Sequence, residues 1–250
     1  MWRNLIHVIA HRGYSSERPE NTFASFDHAI DSGCKFLELD IHLSKDHIPV
    51  VIHDSTVDRT TNGSGNISTM TYSEIESLDA GSWFDPAYGD QIIPTLEQVL
   101  LKYKDICHIV IEIKSEEIIL IEKLRELLLK LDLLKDQISN SLEIPGVSVI
   151  SFVESQVLLS KKYIPEIPHG LLMINPTQDL INFCIENEIS GFFPYFKMIN
   201  LELVKSVTGQ GLHIGAWGLE NVSEIEDALK LGLQGVTVDW PGQVDINSLI

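Results

Sequence analysis

The stretch LIHVIAHRGYSSERPENTFASFDHAIDSGCKFLELDI, residues 5–41, contains the unit from which the fold can be inferred. Two short apolar runs, at 5–10 and 35–41, have the composition of strands, and the segment 21–32 between them has helical spacing. We expect this helix to begin with Asn21 as its N-cap and to end before Gly33. Strands joined by a helical crossover pair in parallel, so the stretch predicts a βαβ unit.

The same alternation continues along the 250-residue chain. Six further strands are predicted, at 107–113, 146–152, 168–173, 189–193, 211–217 and 234–239. Further helices are predicted at 95–103, 116–136, 154–163, 177–188, 200–208 and 221–231, the last with Gly232 as its C-cap. Eight strands with helical crossovers indicate an α/β fold, a closed (β/α)8 or TIM barrel, with an open doubly wound sheet as the alternative. Because no G-x-G-x-x-G motif follows the first strand, a dinucleotide-binding sheet is disfavoured.

One segment interrupts the alternation after the second strand. The run PVVIHD at 49–54 predicts a hairpin continuation of that strand, and the polar run DRTTNGSGNIST follows at 58–69. We interpret roughly 55–94 as a small insertion into one barrel domain that covers 1–250. Insertions at the carboxyl ends of barrel strands usually belong to the active-site side.

The charge balance limits the classes of partner. With 36 acidic and 18 basic residues the formal net charge is −18, which disfavours binding to nucleic acid. No apolar run reaches the roughly 18 residues that span a bilayer, so we expect no stable membrane anchor and a cytoplasmic location. The three cysteines, Cys34, Cys107 and Cys184, form no C-x-x-C pair, and we expect buried free thiols.

Acidic and basic side chains gather at predicted strand ends. Glu38 and Asp40 point to one side of the second strand, and Glu112 and Lys114 share a side of the third. Three carboxylates in one barrel mouth repel unless some are protonated or a cation neutralises them. Oxygen ligands suit one hard divalent cation, Mg²⁺ or Ca²⁺. Arg12, beside the first strand, and Lys114 would offset the charge of a phosphate substrate.

Five motifs in fixed order carry a resemblance to a known family. They are HRG at 11–13, PENT at 19–22, E-x-D at 38–40, V-x-HD at 51–54 and E-x-K at 112–114. Later matches are ISF at 150–152, Trp217 and VTVDWP at 236–241. In this order the set resembles the signature of the glycerophosphodiester phosphodiesterases, and the likeness covers almost the whole chain.

The resemblance implies a role for each matching position. Glu38, Asp40 and Glu112 would hold the divalent cation, and His11 and His53 would be the general acid and base. Arg12 and Lys114 would bind phosphodiester oxygens, while Phe152 and Trp217 would line the glycerol side of the pocket. The chain departs from the family after Trp217, where Gly218-Leu219-Glu220-Asn221 replaces the usual Thr-Val-Asn.

Alternative roles stay open for several of these side chains. Lys114 could simply pair with Glu112, Trp217 could be plain core, and Asp239 could make a structural bond at the barrel rim. The leading hypothesis is metal-dependent hydrolysis of glycerophosphodiesters to glycerol 3-phosphate and an alcohol. The alternatives are a lysophospholipase D, a phosphodiester lyase or a non-enzymatic binder of phosphoryl ligands. A homodimer, the alcohol head group and the order of acid and base stay open.

Overall fold

The computed structural model describes residues 6–134 and 144–244. Eight strands form one parallel ring, and a ninth, β3, pairs antiparallel with β2. The strands are β1 His7–Ala10, β2 Phe36–Leu43, β3 Pro49–Val51, β4 His108–Ile113, β5 Gly146–Ser151, β6 His169–Met173, β7 Gly191–Pro194, β8 His213–Trp217 and β9 Gly235–Val238.

The ring closes because β1 pairs with β2 on one side and with β9 on the other, both in parallel. The order β1-β9-β8-β7-β6-β5-β4-β2 then returns to β1. The protein is therefore a (β/α)8 barrel, as predicted, and the open-sheet alternative is wrong. The helices are α1 Phe23–Asp31, α2 Tyr72–Ile75, α3 Leu96–Tyr103, α4 Ile118–Lys130, α5 Glu154–Tyr163, α6 Gln178–Glu186, α7 Leu201–Gly209 and α8 Val222–Leu231.

Side-chain alternation in β2 explains how the barrel carries charge in its interior. Leu37, Leu39 and Ile41 are fully buried in the cluster between the strands and the helices. Glu38 and Asp40, one residue out of phase, point to the other side of the strand. Because β2 and β4 pair with Asp40 opposite Glu112, carboxyl groups from two strands meet near the carboxyl ends of the barrel strands.

The segment between β3 and α3 has its own small core. It contains 3₁₀ turns at Ile67–Thr69 and Pro86–Tyr88 as well as the short helix α2. Its buried apolar side chains form a cluster separate from the barrel core: Val50, Ile52, Val57, Ile67, Ile75, Ala80 and Ile93. Through Val57 and Ile67 this cluster anchors the polar run that follows His53.

The ends of two helices differ from the sequence expectation. Thr22, not Asn21, is the N-cap of α1, and its hydroxyl accepts a hydrogen bond from the backbone N–H of Ser25. Asn21 has a positive φ of 56° and turns its amide towards Asp40 instead. Helix α4 ends at Lys130 before a positive φ at Asp132, short of the predicted 136, and residues 135–136 lie outside the described part.

The expectations for the C-cap of α8 and for the three cysteines agree with the structure. Gly232 is the left-handed C-cap of α8, with φ of 90°. Cys34, Cys107 and Cys184 are free and buried. Within residues 6–134 and 144–244, none of the helices combines the length and apolar character needed to cross a bilayer. Residue 5 of the first predicted strand lies outside the described residues.

Candidate active site

Three buried carboxyl groups converge at the barrel mouth. Glu38, Asp40 and Glu112 are 2%, 0% and 6% exposed, and one oxygen from each lies within 4.8 Å of one from each of the others. Such proximity forbids three full negative charges without compensation. Burial, followed by the neighbouring charge of Asp40, raises the pKa of Glu38 to about 8 and the pKa of Glu112 to about 7.

Asp40 differs from its two neighbours in keeping its charge. Burial alone would raise the pKa of Asp40, but the cations of Lys114 and Arg12 hold that pKa below its usual value. Asn21 donates a hydrogen bond of 2.8 Å from Nδ2 to Oδ2 of Asp40. The left-handed backbone at Asn21 is what aims this amide inward, so the residue predicted as a helix cap serves the site instead.

The carboxylate cluster fits a hard divalent cation. Among the described residues, Oε1 of Glu38 and Oδ1 of Asp40 are buried without a hydrogen-bond donor, although Lys114 Nζ lies 3.2 Å from the Asp40 oxygen as an ion pair. An unpaired buried carboxylate oxygen is costly unless a cation completes it. All three side chains offer oxygen, the ligand type that Mg²⁺ and Ca²⁺ prefer.

Two basic side chains border the cluster. Lys114 Nζ lies 2.5 Å from Oε1 of Glu112, and Arg12 Nε lies 3.2 Å from Oδ2 of Asp40. Arg12 has a positive φ of 54°, and its backbone N–H donates to Oε2 of Glu38 at 2.9 Å. The ion pair of Lys114 with Glu112, which the sequence analysis gave as an alternative role, is present, and Lys114 also pairs with Asp40. Both cations remain near enough to face an anionic ligand at the mouth.

His11 follows β1 and is held by an aspartate from the opposite end of the chain. Its Nδ1 lies 2.6 Å from Oδ1 of Asp239, which also accepts a hydrogen bond of 3.0 Å from the Ser15 hydroxyl. Burial lowers the pKa of His11, but the bond to Asp239 and the charge of Glu38 outweigh burial and raise it. With Nδ1 engaged, Nε2 is the nitrogen that can face a ligand.

His53 follows β3 and is held in the same manner by its neighbour in sequence. Its Nδ1 lies 2.7 Å from Oδ1 of Asp54, and its backbone carbonyl accepts a hydrogen bond of 3.0 Å from Nε2 of His42. Burial lowers the pKa of His53 more than Asp40 and Asp54 raise it. The two imidazoles are similarly exposed, at 33% and 32%, but their pKa values shift in opposite directions.

Aromatic side chains occupy the mouth beside Lys114. The rings of Phe152 and Trp217 meet edge to face with centroids 5.4 Å apart, and Lys114 Nζ lies 5.8 Å from the Phe152 ring. Trp217 donates its indole N–H to the carbonyl of Phe193 at 3.1 Å. Tyr195 packs against Trp217 with centroids 5.0 Å apart. This region could enclose the apolar face of a small ligand.

All nine residues predicted for the site lie around the carboxyl ends of the barrel strands or directly after them: His11, Arg12, Glu38, Asp40, His53, Glu112, Lys114, Phe152 and Trp217. The sequence analysis missed Arg59 and Tyr195. Arg59 lies in the polar run after His53, where nothing in the residue pattern distinguishes it from a solvated arginine. Tyr195 follows β7, and only its ring contact with Trp217 reveals its place.

The fold and the site define a (β/α)8-barrel protein suited to an anionic ligand beside a carboxylate cluster and two oriented histidines. The model of the glycerophosphoryl diester phosphodiesterase family matches residues 11–243. A glycerophosphodiester phosphodiesterase of Caldanaerobacter subterraneus subsp. tengcongensis is 37% identical, covering 94% of each chain. One from Bacillus subtilis is 32% identical over 94% of this chain and 84% of its own.

A solved structure gives the same relationship. An Oleispira antarctica phosphodiesterase, in complex with its product sn-glycerol-3-phosphate, superposes with a TM-score of 0.86 at 30% identity over 98% of this chain and 96% of that one. The chain belongs to the glycerophosphoryl diester phosphodiesterase family.

Proposed function

We propose that this chain hydrolyses glycerophosphodiesters to glycerol 3-phosphate and an alcohol, with His11 and His53 as acid and base. The observation that carries the proposal is the pair of imidazoles at the barrel mouth. Each is bonded at Nδ1 to an aspartate and is partly exposed. The Oleispira antarctica relative, with sn-glycerol-3-phosphate bound, supports the product class.

Glu38, Asp40 and Glu112 would together hold one divalent cation, Mg²⁺ or Ca²⁺. A cation there supplies Lewis-acid stabilisation of charge on the phosphoryl group. The chain's own cations act alongside it, since Arg12 and Lys114 can each contact a phosphodiester oxygen. Phe152 and Trp217 would pack against the carbon face of glycerol, which leaves its hydroxyl groups for polar contacts.

The surroundings of the two histidines favour a division of roles. At His11 the raising effects, chiefly the hydrogen bond to Asp239, outweigh burial, and the raised pKa favours the imidazolium, the form needed in a general acid. Burial lowers the pKa of His53 more than Asp40 and Asp54 raise it, which leaves His53 nearer the neutral form of a general base. His53 would take the proton from the nucleophile, a water or the substrate's own hydroxyl, and His11 would give one to the leaving alkoxide.

The reaction is tested by release of glycerol 3-phosphate from glycerophosphocholine and glycerophosphoethanolamine. Protein treated with EDTA should be inactive, and Mg²⁺ or Ca²⁺ should restore release. His11→Ala and His53→Ala should each lose about 10²- to 10⁴-fold in kcat. His28→Ala is the matched control, because His28 pairs with Glu17 outside the site. Full activity in either site variant, or no release by folded wild type with any cation, would contradict the proposal.

The division between acid and base has a separate test. A 4-nitrophenyl glycerophosphate has a leaving group that needs no protonation, so a general acid contributes little to its cleavage. We expect the loss caused by His11→Ala to shrink on this substrate while the loss caused by His53→Ala persists. The reverse pattern would exchange the two roles.

A second candidate, lysophospholipase D activity, is favoured by apolar side chains that follow the barrel strands. Phe152, Ile174 and Met198 come after β5, β6 and β7 and are 42%, 56% and 44% exposed. An acyl chain could cover them. Comparison of kcat/KM for lysophosphatidylcholine and glycerophosphocholine decides between the two, and equal or higher values for the lysophospholipid would favour this candidate.

A single domain over 1–250, a cytoplasmic location and a homodimer stay predictions.

A further inference from the structure

Arg59, in the polar run after β3, bridges two carboxylates that belong to different parts of the site. Its Nε and Nη2 donate to Oδ2 and Oδ1 of Asp54 at 2.7 and 3.0 Å. Its Nη1 and Nη2 donate to Oε2 and Oε1 of Glu20 at 2.7 and 2.9 Å. One planar guanidinium therefore makes a two-point contact with each carboxylate, the geometry for which arginine is suited and lysine is not.

Each of these carboxylates has a second partner inside the site. Oδ1 of Asp54 accepts from Nδ1 of His53 at 2.7 Å, and Oε1 of Glu20 accepts from Nη1 of Arg12 at 2.8 Å. The chain of contacts runs from the imidazole of His53 through Arg59 to the guanidinium of Arg12. Although Arg59 is 44% exposed, Glu20 is only 12% exposed, so one end of the bridge is anchored in the protein.

Removing the guanidinium would change the position of both carboxylates. Glu20 and Asp54 are held close to each other by a shared cation, and without it their like charges repel. Asp54 would then be free to turn, and the Nδ1–H bond that aims Nε2 of His53 at the mouth would be loosened. Small displacements of a catalytic group cost rate disproportionately, about 10²-fold for roughly 1 Å.

We propose that Arg59 is a positioning residue, which fixes the ring of His53 through Asp54 and the guanidinium of Arg12 through Glu20. The inference rests on the proposed function, in which His53 and Arg12 act on the phosphodiester. On this proposal, the insertion at 55–94 contributes Arg59 to the site.

The kinetic test compares Arg59→Gln with Asp54→Asn and with the double variant. We expect Arg59→Gln to lower kcat/KM about 10- to 100-fold, and Arg59→Lys to lose less. Since Arg59 acts on His53 through Asp54, adding Arg59→Gln to Asp54→Asn should cost clearly less than it does in the wild type. Arg125→Gln is the matched control, because Arg125 forms the same kind of double ion pair with Glu166 away from the site.

Three outcomes would overturn the inference. They are wild-type kcat/KM in Arg59→Gln, equal losses in Arg59→Gln and Arg125→Gln, and losses that simply multiply in the double variant. If Arg59→Gln does not fold, Arg59→Lys, which keeps the positive charge, takes its place. It is then compared with Asp54→Asn and with the corresponding double variant.

A readout that needs no activity separates this inference from the proposed function. Ring ¹⁵N shifts of His53 should show the Nδ1–H tautomer in wild type and a tautomer mixture in Arg59→Gln. Unchanged shifts in the variant would refute the positioning role even if the wild type released no glycerol 3-phosphate. Absence of product from the wild type, with the tautomer change present, would refute the proposed function and leave the positioning role standing.

Discussion

Binding of a divalent cation to the metal-free protein at pH 7 should release between one and two protons. The expectation follows from the three carboxyl groups at the barrel mouth, which cannot all be charged in the absence of a cation. The pKa of Glu38 is raised to about 8 and that of Glu112 to about 7, by burial first and by Asp40 second. A cation that takes oxygens from both groups must displace the protons they hold.

The size of the effect can be worked from these values. At pH 7 a carboxyl group of pKa about 8 is roughly nine-tenths protonated, and one of pKa about 7 is roughly half protonated. Because the two groups share a site with Asp40, their protons are counted for the cluster as a whole, and the expected total is about 1.4 protons. Release should fall towards zero near pH 9, and the affinity for the cation should rise by more than tenfold per pH unit between pH 6 and pH 7, where more than one proton is released.

Calorimetry of Ca²⁺ or Mg²⁺ binding in two buffers of different ionisation enthalpy measures the protons released. Glu112→Gln should release fewer protons than wild type, while Glu166→Gln, in an ion pair with Arg125, should behave as wild type. Metal-free protein should also lose stability as pH rises from about 4.5 to 8, because the folded state binds the Glu38 proton more tightly than the unfolded chain. Saturating cation should abolish that loss. Binding without proton release at pH 7, or with equal affinity at pH 6 and pH 9, would refute the burial argument.

Three further predictions concern other parts of the molecule. Thr22→Ala removes the hydroxyl cap of α1 and should lower the free energy of unfolding by about 1 kcal/mol in urea titrations; an unchanged midpoint would contradict the cap assignment. Burial lowers the pKa of His169 to about 3, so the wild type should lose stability as pH falls from about 6.5 towards 3, by up to about 1.4 kcal/mol per unit. His169→Gln should flatten this slope, and parallel curves for the two proteins would refute the cause. Gly218→Ala places a Cβ 2.4 Å from Tyr195 at a φ of 79°, so KM for glycerophosphocholine should rise several-fold with little change in kcat, and an unchanged KM would contradict the contact.

The barrel and its charged interior could be predicted because both depend on local periodicity. Alternation along β2 places Glu38 and Asp40 on one side whatever the rest of the chain does, and β4 repeats the pattern with Glu112. Parallel pairing then brings those sides together at one end of the ring. The same reasoning predicted the hairpin at Pro49–Val51, because a short apolar run directly after a strand returns along it.

Features that depend on a single backbone angle or on a distant partner could not be predicted. Asn21 and Thr22 are both good N-cap residues, and what distinguishes them is the positive φ at Asn21, which accompanies its amide contact with Asp40. Arg59 has the sequence surroundings of a solvated side chain. Its two partners, Glu20 and Asp54, are far apart in sequence and lie on either side of Arg59 only in the folded chain.

The proposed order of acid and base depends on surroundings of the two histidines that the sequence does not show. At short range they are equivalent, with Nδ1 2.6 and 2.7 Å from an aspartate oxygen. The two aspartates differ in their second partner, because Asp239 accepts a hydrogen bond from a hydroxyl and Asp54 accepts one from a guanidinium. The pKa of His11 is raised because its hydrogen bond to Asp239 and the neighbouring Glu38 outweigh burial, whereas at His53 burial outweighs Asp40 and Asp54 and lowers the pKa. Burial and the charges of Glu38 and Asp40 are not visible in the two short histidine motifs, so the sequence alone left the proposed order of acid and base open.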